Sequence, residues 1–187
     1  EDGLTLEQAF SMFETDVCWI APIRAKAKRV YSLNTGDTPE GDHAPYRLKE
    51  MMLAKNDNSV KKENLNKFGN ESNLFDSIEI CPLRKSEEAP FEINIVLNKQ
   101  SAKMTSVGQG VTQVLPIVTE MLTRTKTCMF LLQQPEVHLH PRAQATFGEL
   151  LFDLYKLERK SFVIETHSDF IIDRFRLCQN KEKINKE

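Results

Sequence analysis

Two short apolar runs in the last third of the chain constrain the fold more than any other feature. Residues 127–132 (TCMFLL) and 161–164 (SFVI) are too short for helices and suit buried strands of a parallel sheet. Residues 141–157, which lie between them, carry a helical apolar stripe, and residues 169–177 predict another helix. This strand–helix–strand–helix order predicts an α/β fold with a parallel sheet flanked by helices.

The first two thirds of the chain predict additions to this sheet. Residues 4–14 show helical spacing, and Val17–Ile20 (VCWI) predicts a buried strand that joins the same sheet. Across residues 33–69, turn residues and two short helical patterns predict an arm or lid that carries little core. Residues 75–81 and Phe91–Leu97 alternate apolar with polar residues, which predicts an antiparallel hairpin.

Composition excludes several classes of protein. The 187 residues are enough for one sizeable core, and the net charge of −2 does not indicate a nucleic-acid or membrane partner. No apolar run approaches the ~18 residues that span a bilayer. The cysteines are scattered without a CxxC pair, which excludes a disulfide scaffold or zinc ribbon and indicates a cytoplasmic protein. They are Cys18, Cys81, Cys128 and Cys178.

The first motif with chemical content is a glycine-containing turn, SVGQG at residues 106–110, which opens a predicted helix over residues 111–122. Glycine lets the backbone approach a ligand closely, and the free N–H groups and dipole of a helix N-terminus favour a phosphate. Taken alone, such a turn is more often a plain connection.

The second motif is the end of the first apolar strand, residues 129–136 (MFLLQQPE), followed by VHLHP. Polar residues at the carboxyl edge of a parallel sheet stand where open α/β sheets bind ligands. Pro141 suits the first turn of the next helix. His138 and His140 leave two interpretations open: a loop pair with satisfied hydrogen bonds, or metal ligands, for which two histidines alone are not enough.

The third motif is the end of the second strand, residues 162–169 (FVIETHSD). Here too a strand delivers polar residues at its carboxyl end. His167 would hydrogen-bond a phosphate or a nucleophilic water, or would cap the helix that follows.

In order and spacing, these motifs resemble those of the ABC-type ATPase heads of the SMC, RecF and OLD group. The resemblance is greatest to bacterial predicted ATPases of the ABC-like AAA class that is common in anti-phage islands. Residues 106–118 resemble the signature loop and helix, and residues 131–144 resemble the Walker B strand and D-loop. Residues 164–170 resemble the switch-histidine segment, and residues 19–32 resemble a segment that precedes the signature.

The resemblance implies a P-loop NTPase fold and a nucleotide site shared between two heads. Ser106, Gly108 and Gly110 would contact the γ-phosphate of ATP held by the opposite head, so a second head, as a homodimer, is an implied partner. His140 would take the place of the D-loop acid, and His167 would be the switch histidine. The implied activity is ATP hydrolysis coupled to head dimerisation.

The sequence departs from the family pattern at the Walker B strand. Gln133 stands where the magnesium-linked acid normally stands, and Gln134 stands where the general base does. An amide oxygen can contact Mg²⁺ without bringing charge, but it cannot act as a base. Slow hydrolysis, takeover by Glu136 or Glu165, and a substitution engineered to trap ATP are the open explanations. We favour a natural variant in which Glu165, at the end of the neighbouring strand, is the replacement.

The second departure is the missing P-loop, since nothing in the sequence matches GxxxxGK[ST]. The phosphate cradle, its lysine and the magnesium-binding hydroxyl are therefore absent. Because the sequence also opens without Met, we expect it to be the C-terminal part of a longer ATPase. An N-terminal P-loop half is then the first partner, ATP and Mg²⁺ bind only when both halves are present, and the isolated chain is inactive.

Four stretches with different tasks are expected along the chain. Residues 1–32 contribute a strand and a basic segment to the head, and residues 33–104 form an arm with helices and a β-hairpin. Residues 105–178 form the signature, Walker B and switch-histidine core, and residues 179–187 form a disordered tail. The basic side chains among residues 24–29 are expected on a solvated face or against DNA or phosphates.

Two classes of function remain after this reasoning. One is an ATPase subunit whose closure drives an effector such as a nuclease, a toxin or a DNA clamp, for example in anti-phage defence. The other is a non-hydrolysing, nucleotide-gated interaction module with a degenerate Walker B strand. A metal-dependent hydrolase that uses His138, His140 and His167 is a distant third.

Overall fold

The computed structural model describes residues 16–32, 36–54, 59–86, 89–124 and 128–184. Within these ranges the chain forms two three-stranded sheets and five α-helices. In chain order the elements are β1 (Val17–Ile20), α1 (Ala44–Leu53), α2 (Ser59–Ser72), β2 (Ser77–Pro82), β3 (Phe91–Leu97), β4 (Gln100–Lys103), a 3₁₀ turn (Met104–Ser106), α3 (Gln109–Thr123), β5 (Met129–Gln133), α4 (Pro141–Glu158), β6 (Ser161–Glu165) and α5 (Asp169–Ile184).

The first sheet is parallel and has the strand order β1-β5-β6. Cys18 pairs with Phe130, and Phe130 pairs with Phe162, whose ring stacks on it at a centroid distance of 5.5 Å. On this face Cys18, Ile20, Phe130 and Leu132 are buried in the main hydrophobic cluster. The predicted α/β fold, the adjacency of β5 and β6, and the addition of β1 to the same sheet are confirmed.

The opposite face of the parallel sheet is uncovered by the described residues. Val17, Trp19 and Val163 project from it and are 53%, 50% and 59% exposed. The expectation that β1 and β6 are buried strands is therefore wrong, because alternate residues of both are exposed. A buried parallel strand needs neighbours on both edges and cover on both faces, and β6 has one described neighbour and cover on one face.

The second sheet is an antiparallel meander with the order β2-β3-β4. Its β2–β3 pair confirms the predicted hairpin. The third strand, β4, was not predicted because its sequence QSAK lacks alternating apolar residues. Asn98 and Lys99 connect β3 to β4 with φ values of 52° and 65°, the left-handed pair that tight hairpin turns require.

The helices α1 and α2 contribute to the core, so the expected arm with little core is wrong. Leu48, Met51, Leu65 and Phe68 are each at most 2% exposed and belong to the main hydrophobic cluster. The Phe68 ring meets that of Phe147 of α4 at a centroid distance of 6.5 Å. The turn residues around these helices suggested a separate arm, whereas their apolar faces cover the head itself.

The last helix is longer than predicted, and the expectation of a disordered tail is wrong for residues 179–184. α5 continues to Ile184, and Glu182 lies 3.2 Å from the Lys156 ammonium of α4. Basic residues in its last turn also complement the negative end of the helix dipole. None of the described helices is long and apolar enough to cross a membrane. The helix expected over residues 4–14 lies outside the described residues.

A buried ionic cluster joins α1 to α3 around Glu120, which is 1% exposed. One carboxylate oxygen lies 3.1 Å from His43 Nε2 and 3.2 Å from Arg47 Nε, and the other accepts from Arg124 Nε at 2.6 Å. Burial raises the pKa of this carboxyl, but the contact with His43 and the neighbouring guanidinium groups lower it by more. The pKa of Glu120 therefore lies below its ordinary value of 4.5.

Replacing this carboxylate should destabilise the fold. Glu120→Gln should lower the free energy of unfolding by about 3 kcal/mol at neutral pH, because Arg47 and Arg124 would lose their buried partner and keep only exposed carboxylates. Since the folded-state pKa is depressed, the carboxylate contributes stability above pH 4.5 and loses it as the pH falls through that pKa. Urea unfolding across pH measures both effects, and the two proteins should converge in acid.

Glu149→Gln is the matched control. The Glu149 carboxylate lies 3.3 Å from Arg174 Nη1, and both side chains are partly exposed. Its loss should cost less than about 1 kcal/mol. Equal losses in the two variants would show that the cluster around Glu120 contributes no more than a surface ion pair.

Candidate functional site

The carboxyl ends of β5 and β6 lie side by side and bring two predicted site residues together. Gln133 and Glu165 are the last residues of the two strands and are partners in the parallel register. The Gln133 Nε2 amide donates to Glu165 Oε2 at 3.2 Å, and the Glu165 side chain is exposed. This edge therefore presents one carboxylate and one amide to the outside.

Gln134 begins the turn after β5 in a left-handed conformation, with φ 44°. A residue with a side chain rarely adopts this conformation unless its surroundings hold it there. Its N–H donates to the Glu165 carbonyl at 2.8 Å, and its carbonyl accepts from Val137 N–H at 3.2 Å and from Arg24 Nη2 at 3.3 Å. The Gln134 backbone is thus held on both sides.

Glu136 connects the second motif to the third. Its carboxylate accepts from Thr166 Oγ1 and from the His167 N–H, both at 2.8 Å. The two strand-end motifs are therefore joined by side-chain hydrogen bonds as well as by the sheet. Because both oxygens of Glu136 are engaged, this residue positions the histidine segment.

His140 is occupied by a structural contact. Its Nδ1 accepts from the Ala143 N–H at 3.3 Å, so the imidazole caps the N-terminus of α4. His138 is exposed in a left-handed conformation, with φ 65°. In the described ranges no group of three or more His, Cys, Asp or Glu residues could hold a metal ion, so the metal-dependent hydrolase has no site there.

His167 is not the cap of α5. Ser168 has this role, because its Oγ accepts from the Ile171 N–H at 3.2 Å and itself donates to Gln144 Oε1 at 2.6 Å. The His167 side chain is exposed next to Glu165, at the edge where the strands end. Its ring is therefore accessible to a ligand at that edge.

The glycine turn of the first motif lies against the second motif. Gly108 caps α3, and no atom stands within 4 Å of a Cβ added there, whereas a Cβ on Gly110 would meet the His138 carbonyl at 2.9 Å. Ser106 is exposed at the end of the 3₁₀ turn. Among the described residues no side-chain cap is made at the start of α3, whose N-cap residue is glycine and whose first turn carries no acid, so this N-terminus is open to an anion.

Arg24 is a site residue that the sequence analysis missed. It is 4% exposed, and its Nη2 donates to the carbonyls of Gln133 at 3.1 Å and Gln134 at 3.3 Å. The expectation that Arg24 lies on a solvated face is wrong. A lone arginine in a basic stretch carries no local signal that it reaches a strand end 109 residues away.

Two other basic residues of the same stretch are neutralised locally. Lys28 Nζ lies 2.8 Å from Asp42 Oδ1, and Arg29 Nε lies 3.8 Å from Glu92 Oε1. Residues 24–29 therefore do not form a continuous free cationic face.

The residues at the sheet edge fit one side of a magnesium–nucleotide site. Gln133 offers an amide oxygen, the type of ligand that Mg²⁺ prefers, and the exposed carboxylate of Glu165 brings a negative charge beside it. When bound, Mg²⁺ neutralises charge on phosphate oxygens. The phosphate-binding side has no counterpart in the sequence.

Comparison with known families identifies the domain. A family model of the AAA ATPase domain matches residues 26–172, a span that includes all three motifs. This chain belongs to that AAA ATPase family. This membership confirms the predicted resemblance to ATPase domains. No curated protein matches the sequence.

The fold of this AAA ATPase domain is similar to that of a solved Smc head, as the resemblance to ABC-type heads predicts. One match is the Smc head domain with an extended coiled coil bound to the C-terminal domain of ScpA, from Pyrococcus furiosus. It has a TM-score of 0.50 and 13% identity, over 61% of this chain and 29% of the Smc chain. A second match is a structure from work on ATP-driven dimerization and DNA stimulated activation of SMC ATPases. It has a TM-score of 0.49 and 12% identity, over 70% of this chain and 77% of the matched chain. The AAA ATPase domain thus spans less than a third of the Pyrococcus furiosus chain.

The two glycines of the first motif should respond differently to a methyl group. Gly110→Ala should lower the free energy of unfolding by about 1 to 2 kcal/mol, because the new carbon meets the His138 carbonyl. Gly108→Ala should change it by less than about 0.5 kcal/mol, since the space is open. Denaturant unfolding of both variants checks this, and equal effects would mean that α3 does not pack against the turn after β5.

Proposed function

We propose that this chain is the part of an ABC-type ATPase head that supplies the signature turn, the Walker B strand, the D-loop and the switch histidine. The observation that supports this most is the convergence of the three motifs. Glu165 meets Gln133, Glu136 holds the His167 N–H, and Gly110 lies against the turn after β5. In this proposal ATP binding closes two heads, and closure acts on an effector in DNA-linked or anti-phage defence.

The uncovered side of the parallel sheet supports a P-loop half as the first partner. Val17, Trp19 and Val163 stand exposed together on one face of this sheet. Parallel sheets are almost always covered on both faces. In this proposal the P-loop half covers the face and brings the phosphate cradle next to Gln133 and Glu165.

The open N-terminus of α3 supports a second head as the next partner. Ser106 and Gly108 are exposed there, and the helix has neither a side-chain cap nor an acid in its first turn. A phosphate held by an opposite head would satisfy the free N–H groups and the helix dipole. Gly110 serves this arrangement indirectly, because its missing side chain lets α3 approach the turn after β5.

The state of the Walker B strand decides between hydrolysis and a non-hydrolysing switch. Gln134 cannot accept a proton, and both carboxylate oxygens of Glu136 already accept hydrogen bonds. Glu165 is exposed at the same edge, and within the described residues its carboxylate accepts one hydrogen bond, from Gln133. We therefore assign the role of general base to Glu165. His167, two residues later and also exposed, is assigned the role of switch histidine.

Dimerisation tests the role of the signature turn. In the chain combined with its P-loop half, Gly108→Asp should abolish ATP-dependent dimers in light scattering and leave nucleotide binding to one head intact. Asp is a good N-cap residue, so the variant should fold as stably as its parent. Ser106→Arg should act in the same way by obstruction, and Gly108→Ala is the control that should still dimerise. If Gly108→Asp still forms ATP-dependent dimers, the turn has no role in dimerisation and only connects β4 to α3.

Single-turnover hydrolysis tests the assignment of the base. In the same combined protein Glu165→Gln should lower turnover by more than about tenfold and leave ATP affinity nearly unchanged. The reason is that general bases typically contribute ~10²–10⁴-fold to the rate. Gln134→Glu should raise turnover, and Glu136→Gln should lower it less than Glu165→Gln. If Glu165→Gln hydrolyses ATP at the parent rate, Glu165 has a structural role and is not the base. If dimers form without any turnover, the non-hydrolysing switch is the correct function.

A further inference from the structure

Arg24 lies beneath the turn that carries the second motif, and its environment is unusual. The guanidinium is 4% exposed, and a single nitrogen, Nη2, donates to the consecutive carbonyls of Gln133 and Gln134. These carbonyls are partly buried where β5 leaves the sheet, and the Gln134 carbonyl also accepts from the Val137 N–H. Arg24 binds them from a segment that lies 109 and 110 residues away in the sequence.

The remaining donors of Arg24 are not satisfied within the described part of the chain. Nε and Nη1 are buried there without a hydrogen-bond partner. Burial lowers the pKa of Arg24 to about 10, while the charge of Glu136 opposes this shift. Burying a cation with unpaired N–H groups is unfavourable, so stability alone does not account for an arginine at this position.

The turn above Arg24 holds the residues on which the proposed chemistry depends. Gln134 has φ 44°, and its carbonyl is one of the two that Arg24 binds. Two residues later, Glu136 holds the His167 N–H and the Thr166 hydroxyl. Any movement of the two carbonyls would therefore displace both the Gln134 side chain and the contact that places His167.

We propose that Arg24 is a positioning residue of the ATPase site: it fixes residues 133–136 through the carbonyls of Gln133 and Gln134. The inference rests on the proposed function, and in it Arg24 touches neither nucleotide nor water. It links the segment after β1 to the end of β5, so that the Walker B side chains and His167 keep one arrangement. A neutral side chain of similar length would fill the space but would release the turn.

Hydrogen exchange in the chain itself tests this without any nucleotide. In Arg24→Met the amides of Gln134 and Val137, which make the hydrogen bonds of the turn, should exchange at least tenfold faster. Amides of the β2–β3 hairpin should keep their parent rates, and Arg24→Lys should restore most of the protection. Lys26→Met, an exposed change in the same segment, should leave every rate unchanged. Unchanged rates in the turn, or an equal rise throughout the chain, would overturn the proposal.

Kinetics in the chain combined with its P-loop half complete the test. Arg24→Met should lower kcat at least tenfold and change KM for ATP less than threefold, and Arg24→Lys should recover most of kcat. A parent-like kcat in Arg24→Met would overturn the positioning role. If the parent combination itself has no ATPase activity, the proposed function fails, while the exchange rates still decide whether Arg24 holds the turn.

Discussion

The parallel pairing of β5 with β6 is the constraint on which the rest of the site depends. Its register places Gln133 opposite Glu165, and the next hydrogen bond, from the Gln134 N–H to the Glu165 carbonyl, extends the pairing one residue past β5. The stacked rings of Phe130 and Phe162 fix this register from the buried face. A slip by one residue would turn every side chain to the other face, and Glu136 would then no longer meet the His167 N–H.

The elements of the last third were predictable because their signals are local. An apolar run and a stripe at helical spacing depend on the segment alone, and β5, α4 and β6 were predicted within a few residues. The exposure of Val163 was not predictable, because it depends on what lies on the far face of the sheet. The polar strand β4 was missed because it depends on the left-handed turn at Asn98 and Lys99. The end of α5 was missed because its sequence, QNKEKI, is polar and carries no apolar stripe.

The candidate site also contains some positions that the sequence predicts and others that it does not. That Gln133 and Glu165 would be neighbours follows from a general rule, since the carboxyl ends of adjacent parallel strands share one edge. The position of Arg24 follows from no such rule, because its partners lie 109 and 110 residues away and are backbone atoms of any residue type. Glu136 was recognised as an acid near the site, but only its distances to the third motif show that it joins two strand ends.

The uncovered sheet face also has a consequence for how such a protein is assembled. Among the described residues β6 pairs on one edge only, with β5, and carries the exposed Val163, so an extended segment can pair with its other edge. Parallel pairing between distant segments forms slowly, so the edge stays open during folding. Two partners then compete for this edge: the strand of the covering segment and the same edge of a second copy. The local concentration of each partner determines which one pairs more often. A covering segment that folds together with this domain is therefore expected to meet the edge at a higher local concentration than a second copy does.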